Sequence, residues 1–256
     1  MKIATWNVNS LRVRLPQVLD WLGVERPDVL ALQETKLPDR DFPVAEIEAA
    51  GYSAVYTGQS AYNGVAILSR SPAADVVMDL PGLDGEQRRV VAASFGEVRV
   101  LNLYVPNGQN VGSEKYVYKL EWLDTLTSYI KADLKRHPRL VVLGDFNIAP
   151  EERDVYDPNA WATNVLFSEA ERAAFRRLID AGLCDTFRLF EQPEREYSWW
   201  DYRMGAFRRN QGLRIDHILV GHALRDACTS CRIDKQPRKR ERPSDHAPVV
   251  AELELG

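Results

Sequence analysis

The 256-residue sequence predicts an α/β fold in which two mixed β-sheets pack against each other with helices outside. Three observations carry that expectation. Strand-sized and helix-sized segments alternate along the chain. Several strand candidates, among them LVVL at residues 140–143 and VLAL at 29–32, are apolar throughout, which suits strands covered on both faces. Hairpin-like pairs, at Phe95-Gly96-Glu97-Val98 and around the Asn63-Gly64 turn, add antiparallel pairing.

Taken in order, strands are expected over residues 2–7, 28–34, 52–57, 63–69, 88–95, 98–105, 139–146, 197–202, 213–220 and 247–253. The clearest helix follows Gly112-Ser113. There Val117, Leu120, Leu123, Leu126, Ile130 and Leu134 recur at steps of three and four, and Pro138 lies just past the end. A second opens on a capping box, Ser168 with Glu171, buries Phe175, Leu178 and Ile179, and stops at Gly182. A third is expected from about Pro16 to Leu22, with Gly23 as its stop. No linker, low-complexity run or repeat divides the chain, so one domain over 1–256 is expected, and any symmetry between halves would be structural only.

Composition sets limits on function. With 45% hydrophobic and 27% charged residues the chain can bury a large core, and its longest apolar runs are strand-sized. The N-terminus enters β-type sequence with no charged segment followed by an apolar one, so a soluble, cytoplasmic protein without membrane attachment is expected. Cys184, Cys228 and Cys231 are too few for a disulfide scaffold, and the Cys228–Cys231 spacing lacks the second pair or histidines of a zinc site. A formal charge of −4 argues against adhesion to nucleic acid over the whole surface. It leaves room for a local basic face, and Lys235 to Arg242 carries five basic residues and one acid, unless it is simply a solvated loop.

The expected core strands end on polar groups rather than neutral turns. ATWN ends at Asn7, VLALQE at Glu34, and LVVLGDFN at Asp145 and Asn147; LRID carries Asp216, and the last strand is preceded by Asp245 and His246. If the sheets align these ends, the groups converge on one rim. Each alone has a structural alternative: Asn7 and Asn147 as turn residues, Glu34 as a partner of Lys36 or an arginine. As a set they are costly to bury without a compensating cation. Carboxylates without a His or Cys cluster favour a hard, oxygen-seeking ion such as Mg²⁺, with Mn²⁺ as the alternative, and amides with one imidazole suit a phosphate. The combination points to metal-assisted phosphoester hydrolysis by water.

The blocks TWNVNSLR, LALQETK, YNGVAILS, LYVPNG, GDFNIAP, WWDYRMGAFRRNQGLRIDHIL and PSDHAPV, in that order, resemble the exonuclease III type abasic-site DNA endonucleases within the endonuclease/exonuclease/phosphatase superfamily. The likeness covers essentially the whole chain. GDFN and SDH are shared across the superfamily; the longer blocks narrow the substrate. The resemblance implies a four-layer α/β sandwich and a monomer acting without an obligate protein partner on duplex DNA with abasic sites or blocked 3′ ends. The implied activities are cleavage 5′ to abasic sites, 3′–5′ exonuclease and 3′-phosphatase. By position it implies Glu34 as main ion ligand, with Asn7 and Asp245 close by, and Asp145 as orienter or base for the attacking water, held by Asn147. His246 would bind the scissile phosphate with Asp216 as its orienter. Tyr104 and Asn107 would contact the phosphate or help the leaving group, with water on the ion as the alternative acid.

Trp199 resembles the residue lining the pocket for an extruded abasic sugar, with Leu213 and Ile215 beside it; Trp200 and Tyr202 are expected in the core. Leu166, in the segment 159–167, is a candidate for restricting that pocket and favouring 3′-end trimming. Arg203, Arg208, Arg209 and Arg214, with the basic run 235–242, are candidates for gripping DNA phosphates.

Overall fold

A computed structural model describes residues 1–83 and 87–255. In chain order the main elements are β1 (Lys2–Asn7), α1 (Leu11–Glu25), β2 (Val29–Gln33), α2 (Val44–Ala49), β3 (Ser53–Thr57), β4 (Val65–Ser69), β5 (Ala74–Val77), β6 (Val90–Phe95) and β7 (Val98–Tyr104). There follow α3 (Glu114–Arg136), β8 (Leu140–Asp145), α4 (Pro158–Trp161), α5 (Glu169–Asp180), β9 (Leu183–Asp185), β10 (Asp216–Gly221), β11 (Cys228–Ile233) and β12 (Val249–Leu253).

The strands form two six-stranded sheets, in the orders β11-β12-β1-β2-β4-β3 and β5-β6-β7-β8-β10-β9. Read from β11 and from β9 respectively, both run antiparallel, antiparallel, parallel, antiparallel, antiparallel, so the halves share a topology that no sequence repeat announces. In each sheet the parallel pair, β1·β2 and β7·β8, is joined by a helical crossover, α1 or α3. This arrangement positions the site. A parallel pair brings two carboxyl ends side by side, and its antiparallel neighbour brings an amino end to the same edge. Asp145 at the end of β8 thereby lies opposite Asp216 at the start of β10 and Tyr104 at the end of β7.

Between the sheets, Ile3, Val29, Ala31 and Ile67 meet Val91, Val100, Val141, Leu143 and Ile218, all buried. The strands' other faces are buried too. Ala4, Trp6, Leu30, Leu32 and Leu68 pack under α1 and α2, and Leu101, Leu103, Val142 and Leu219 under α3 and α5. Each leucine, isoleucine or valine among them contributes about 1.5–3 kcal/mol on burial. The result is helix, sheet, sheet, helix: the four-layer sandwich. Asn102 of β7 crosses the interface to donate to Leu32 O and Ala66 O at 3.0 and 2.9 Å, and Gln33 Nε2 returns a bond to Asn102 Oδ1 at 2.7 Å. These bonds restrict sliding between otherwise oily faces.

Helix α3 starts on Ser113, whose hydroxyl accepts from Tyr116 N, and α5 has the expected reciprocal bonds between Ser168 and Glu171. Two expectations need correction. Helix α1 begins at Leu11 and contains Pro16 in its sixth position, where the ring removes one backbone bond without ending the helix; it also runs through Gly23 to stop at Arg26, which takes the left-handed turn at φ 49°. Residues 197–202 are no strand: Ser198 N and Trp199 N bond Leu213 O, whereas Trp200 N bonds Asp245 O, so the segment ties two loops together instead of continuing one ladder. Three short strands, β5, β9 and β11, were not expected; each lies at or next to a sheet edge, where half-exposed or mixed sequence gives little periodic signal. Among the described residues no helix is long and apolar enough to cross a membrane.

Candidate active site

At the shared rim the predicted polar groups meet. Asn7 Nδ2 donates to Glu34 Oε1 at 2.8 Å and to Asp145 Oδ2 at 2.9 Å, joining the two sheets' ends. Asp145 is held further by Asn147, whose backbone N–H reaches Oδ1 at 2.8 Å. The Asn147 amide donates to Val105 O at 3.0 Å and accepts from Asn107 Nδ2 at 3.2 Å, so Asn147 makes contacts beyond its own turn. His246 Nδ1 lies 2.9 and 3.1 Å from the Asp216 oxygens, and its Nε2 points toward Asp145 Oδ2 at 3.8 Å. The Tyr104 hydroxyl engages Glu34.

Electrostatics follow from burial. Desolvation alone would lower the imidazole's pKa, but Asp216, Asp145 and Asp245 outweigh it and raise His246 to about 10. It is therefore a cation at neutral pH. Burial raises Asp145, and Asp216 and Glu34 add to the rise against the opposing pull of His246 and Asn7. Burial, then Glu34 and Asp145, hold the Tyr104 hydroxyl well above its usual range, so it is neutral and can donate. For Asp245, burial works upward but is overcome by His246 and by bonds from Asn9 and Trp199, and the carboxylate stays ionised.

Whether a cation fits can be judged from these donors. Among the described residues, Glu34, Asp145 and His246 place ligand-type atoms within 4.8 Å of one another. His246 holds Nδ1 against Asp216, which leaves Glu34 and Asp145 as the carboxylates of that group. Two carboxylates beside an amide, with the buried negative charge that raises Asp145, suit a hard divalent ion. Glu34 Oε2 also meets Lys36 at 2.8 Å, the ion pair that was the structural alternative for Glu34. Asp245 sits apart from the cluster, accepting from Asn9 Nδ2 at 2.9 Å and Trp199 Nε1 at 3.0 Å. Asn9, which sequence reading passed over, links Asp245 to Lys36 through its Oδ1 at 2.6 Å. Its signal was the alternation in WNVN, two residues on from Asn7.

The residues expected to line and restrict the sugar pocket pack into one cluster. Leu213 and Ile215 are 0% and 1% exposed and pack with Leu166, Phe167, Ala149 and Val155, with Trp199 at the edge. Leu166 holds a left-handed backbone, φ 79°, fixed by Leu166 N to Glu171 Oε1 at 3.0 Å and Ala149 N to Leu166 O at 2.7 Å. Trp200 is core, as expected. Tyr202 is not: it is 51% exposed, and its hydroxyl donates to Pro243 O because Arg238 and Phe207 already fill the space beside Trp200.

The basic residues divide. Arg203, Arg208 and Arg209 are exposed. Arg214 is buried between Asp154 and Asp185 and cannot reach DNA; Arg238 is inserted against Trp200 and Phe207 and bonds Ser244 O, leaving Lys239, Arg240 and Arg242 on the surface. Burial pushes the Cys228 and Cys231 thiols up to about 11 and 12, so both are inert core groups.

Two packed mixed sheets with helices outside, gathering carboxylates, amides and an imidazole at one rim, define a four-layer α/β sandwich. The chain belongs to the Endonuclease/Exonuclease/phosphatase family, which it matches over residues 4–246. It is 36% identical to the exodeoxyribonuclease III of Haemophilus influenzae, over 99% of this chain and 100% of that protein. The 3′ phosphatase NExo from Neisseria, solved bound to a product DNA hairpin, matches with TM-score 0.97 and 49% identity over 100% of both chains. An AP endonuclease from Archaeoglobus fulgidus matches with TM-score 0.96 and 40% identity, again over 100% of both.

Proposed function

We propose that the protein hydrolyses phosphoesters of damaged duplex DNA, cutting 5′ to abasic sites and trimming 3′ ends as a 3′–5′ exonuclease and 3′-phosphatase. The observation that carries this reading is the buried Asp145, held by Asn7 and Asn147 and facing the imidazolium of His246. Glu34 and Asn7, with Asp245 nearby, would hold Mg²⁺ or Mn²⁺; the ion supplies charge neutralisation and polarisation of the phosphate. Asp145, its pKa raised by burial toward the working pH, takes the proton of the attacking water, which Asn147 orients. His246, charged and fixed by Asp216, donates from Nε2 to the phosphate oxygens as negative charge builds. Tyr104 and Asn107 lie on the leaving-group side, and neutral Tyr104 has a proton to give. Arg208 and Arg209 bind flanking phosphates.

A second reading, in which 3′-end processing dominates and abasic incision is weak, is favoured by Leu166, which fills the space between Leu213, Ile215 and Trp199. The experiment uses one labelled duplex with a stable abasic analogue and one with a 3′-phosphate, each given wild type or Asp145→Asn with Mg²⁺ or EDTA. Turnover should require the ion and fall about 10²–10⁴-fold in Asp145→Asn. A folded Asp145→Asn enzyme with normal turnover would sink the assignment; processing of the 3′-phosphate alone would select the second reading.

A further inference from the structure

Beneath the rim lies a charged group that the proposed chemistry does not use. Lys119, on the inner face of α3, has a fully buried side chain, and its ammonium makes three bonds: to Asn147 O at 2.7 Å, to Asn107 O at 3.1 Å and to Glu171 Oε1. Those are all the donors an ammonium has. The two carbonyls belong to the residues whose side chains meet each other in the site, Asn107 Nδ2 to Asn147 Oδ1 at 3.2 Å. One buried cation therefore grips the main chain of both loops from behind while their amides face the reaction. The surroundings make room for it. Gly108 has φ 94°, and a Cβ there would meet Lys119 Cδ at 3.1 Å, so the lysine stem runs against bare backbone. Asn147 is also left-handed, at φ 49°, a conformation that persists when neighbouring contacts over-determine it.

Stability alone gives little reason for such a pair, because replacing a buried ion pair by apolar groups is often neutral or better. The helix start does not need it either, since Ser168 and Glu171 cap each other. Burial lowers the ammonium's pKa and Glu171 counters the effect, as a retained charge requires. We propose that Lys119 is a positioning residue for the cleavage reaction, setting the main chain of Asn107 and Asn147 so that their side chains hold Asp145, the water and the leaving group in line. This rests on the proposed function above.

The test compares wild type, the double variant Lys119→Met/Glu171→Gln, Glu171→Gln alone and Lys119→Arg, with kcat and KM on the 3′-phosphate duplex in Mg²⁺ and near-ultraviolet circular dichroism as the check on folding. The double variant strands no charge but leaves both carbonyls without their donor. Its kcat should fall about 10²-fold, the cost of a displacement near 1 Å, with KM within about threefold because phosphate grip is untouched. Glu171→Gln, which keeps the lysine on both carbonyls, should retain at least about tenfold more kcat than the double variant. A folded double variant with wild-type kcat overturns the proposal, and so do equal losses in the double variant and Glu171→Gln. Should the double variant not fold, Lys119→Arg decides. Its planar fork cannot reproduce a point donor in so tight a space, so a lowered kcat at unchanged KM is expected, and wild-type kcat overturns the proposal. Inactive wild type on both duplexes would instead remove the functional reading on which the proposal stands.

Discussion

Replacing Leu166 by glycine should convert a filled pocket into an open one. The Leu166 side chain is 4% exposed and packs against Leu213, Ile215 and Trp199. Deleting a buried leucine to alanine costs about 2–5 kcal/mol, cavity included. Part of that returns here, because Leu166 sits at φ 79°, where an L side chain costs about 1–2 kcal/mol and glycine nothing. The expected net loss of stability is thus about 0–4 kcal/mol, tolerable in a protein of this size. For a base-less sugar entering against the leucine, the penalty resembles overpacking, about 1–3 kcal/mol, so removing the leucine should raise abasic incision roughly 5- to 150-fold relative to 3′-phosphate release. The assay is the ratio of kcat/KM on the two duplexes, with a thermal melt to confirm folding. A folded Leu166→Gly protein with an unchanged ratio would refute both the pocket's location and the role given to this side chain.

Two further outcomes can be checked. His246 has a folded-state pKa of about 10 against 6.5 for a free imidazole, so its charged form stabilises the fold fully below about pH 6.5, and that contribution is lost as pH rises toward 10. The metal-free protein should therefore melt lower at pH 10 than at pH 6.5, and His246→Asn should shrink the difference while reducing turnover by about 10²–10⁴-fold; a variant melting curve with the same pH dependence would contradict the Asp216–imidazolium pair as its source. Because Arg208 and Arg209 are exposed whereas Arg214 is not, replacing either exposed arginine by alanine should reduce the slope of log KM against log salt by about 0.9 for each DNA phosphate that the side chain no longer neutralises. A KM that is flat in salt for the wild type would rule out the basic face altogether.

Much of this molecule was legible in the chain. Continuous apolar runs such as Leu140–Leu143 mark strands buried on both faces, and the structure covers both. The polar strand ends marked the rim because buried carboxylates and amides demand partners wherever they occur. Less was legible where local sequence carries two meanings. Arg214 and Arg208 stand six residues apart in one basic block, yet one is sealed between Asp154 and Asp185 and the other is in solvent. Tyr202 reads as another core aromatic of WWDY, but the adjoining space is already occupied by Arg238 and Phe207. Lys119 reads as one more polar position on an amphipathic helix, and only the approach of α5 gives it a buried partner in Glu171.

Periodicity of burial and the cost of unpaired polar groups act over a few residues, so the layer order and the chemical inventory are written in the chain. The tertiary structure alone decided which of those groups touch. Asn7, Glu34, Asp145, Asp216 and His246 come from distant parts of the chain, and their convergence depends on two parallel strand pairs ending at the same edge of two packed sheets. Leu166 likewise has no meaning in its own neighbourhood. It packs on Leu213 and Ile215, at the proposed pocket, because Ala149 and Glu171 fix its backbone, and those contacts exist only once the sheets, loops and α5 are assembled.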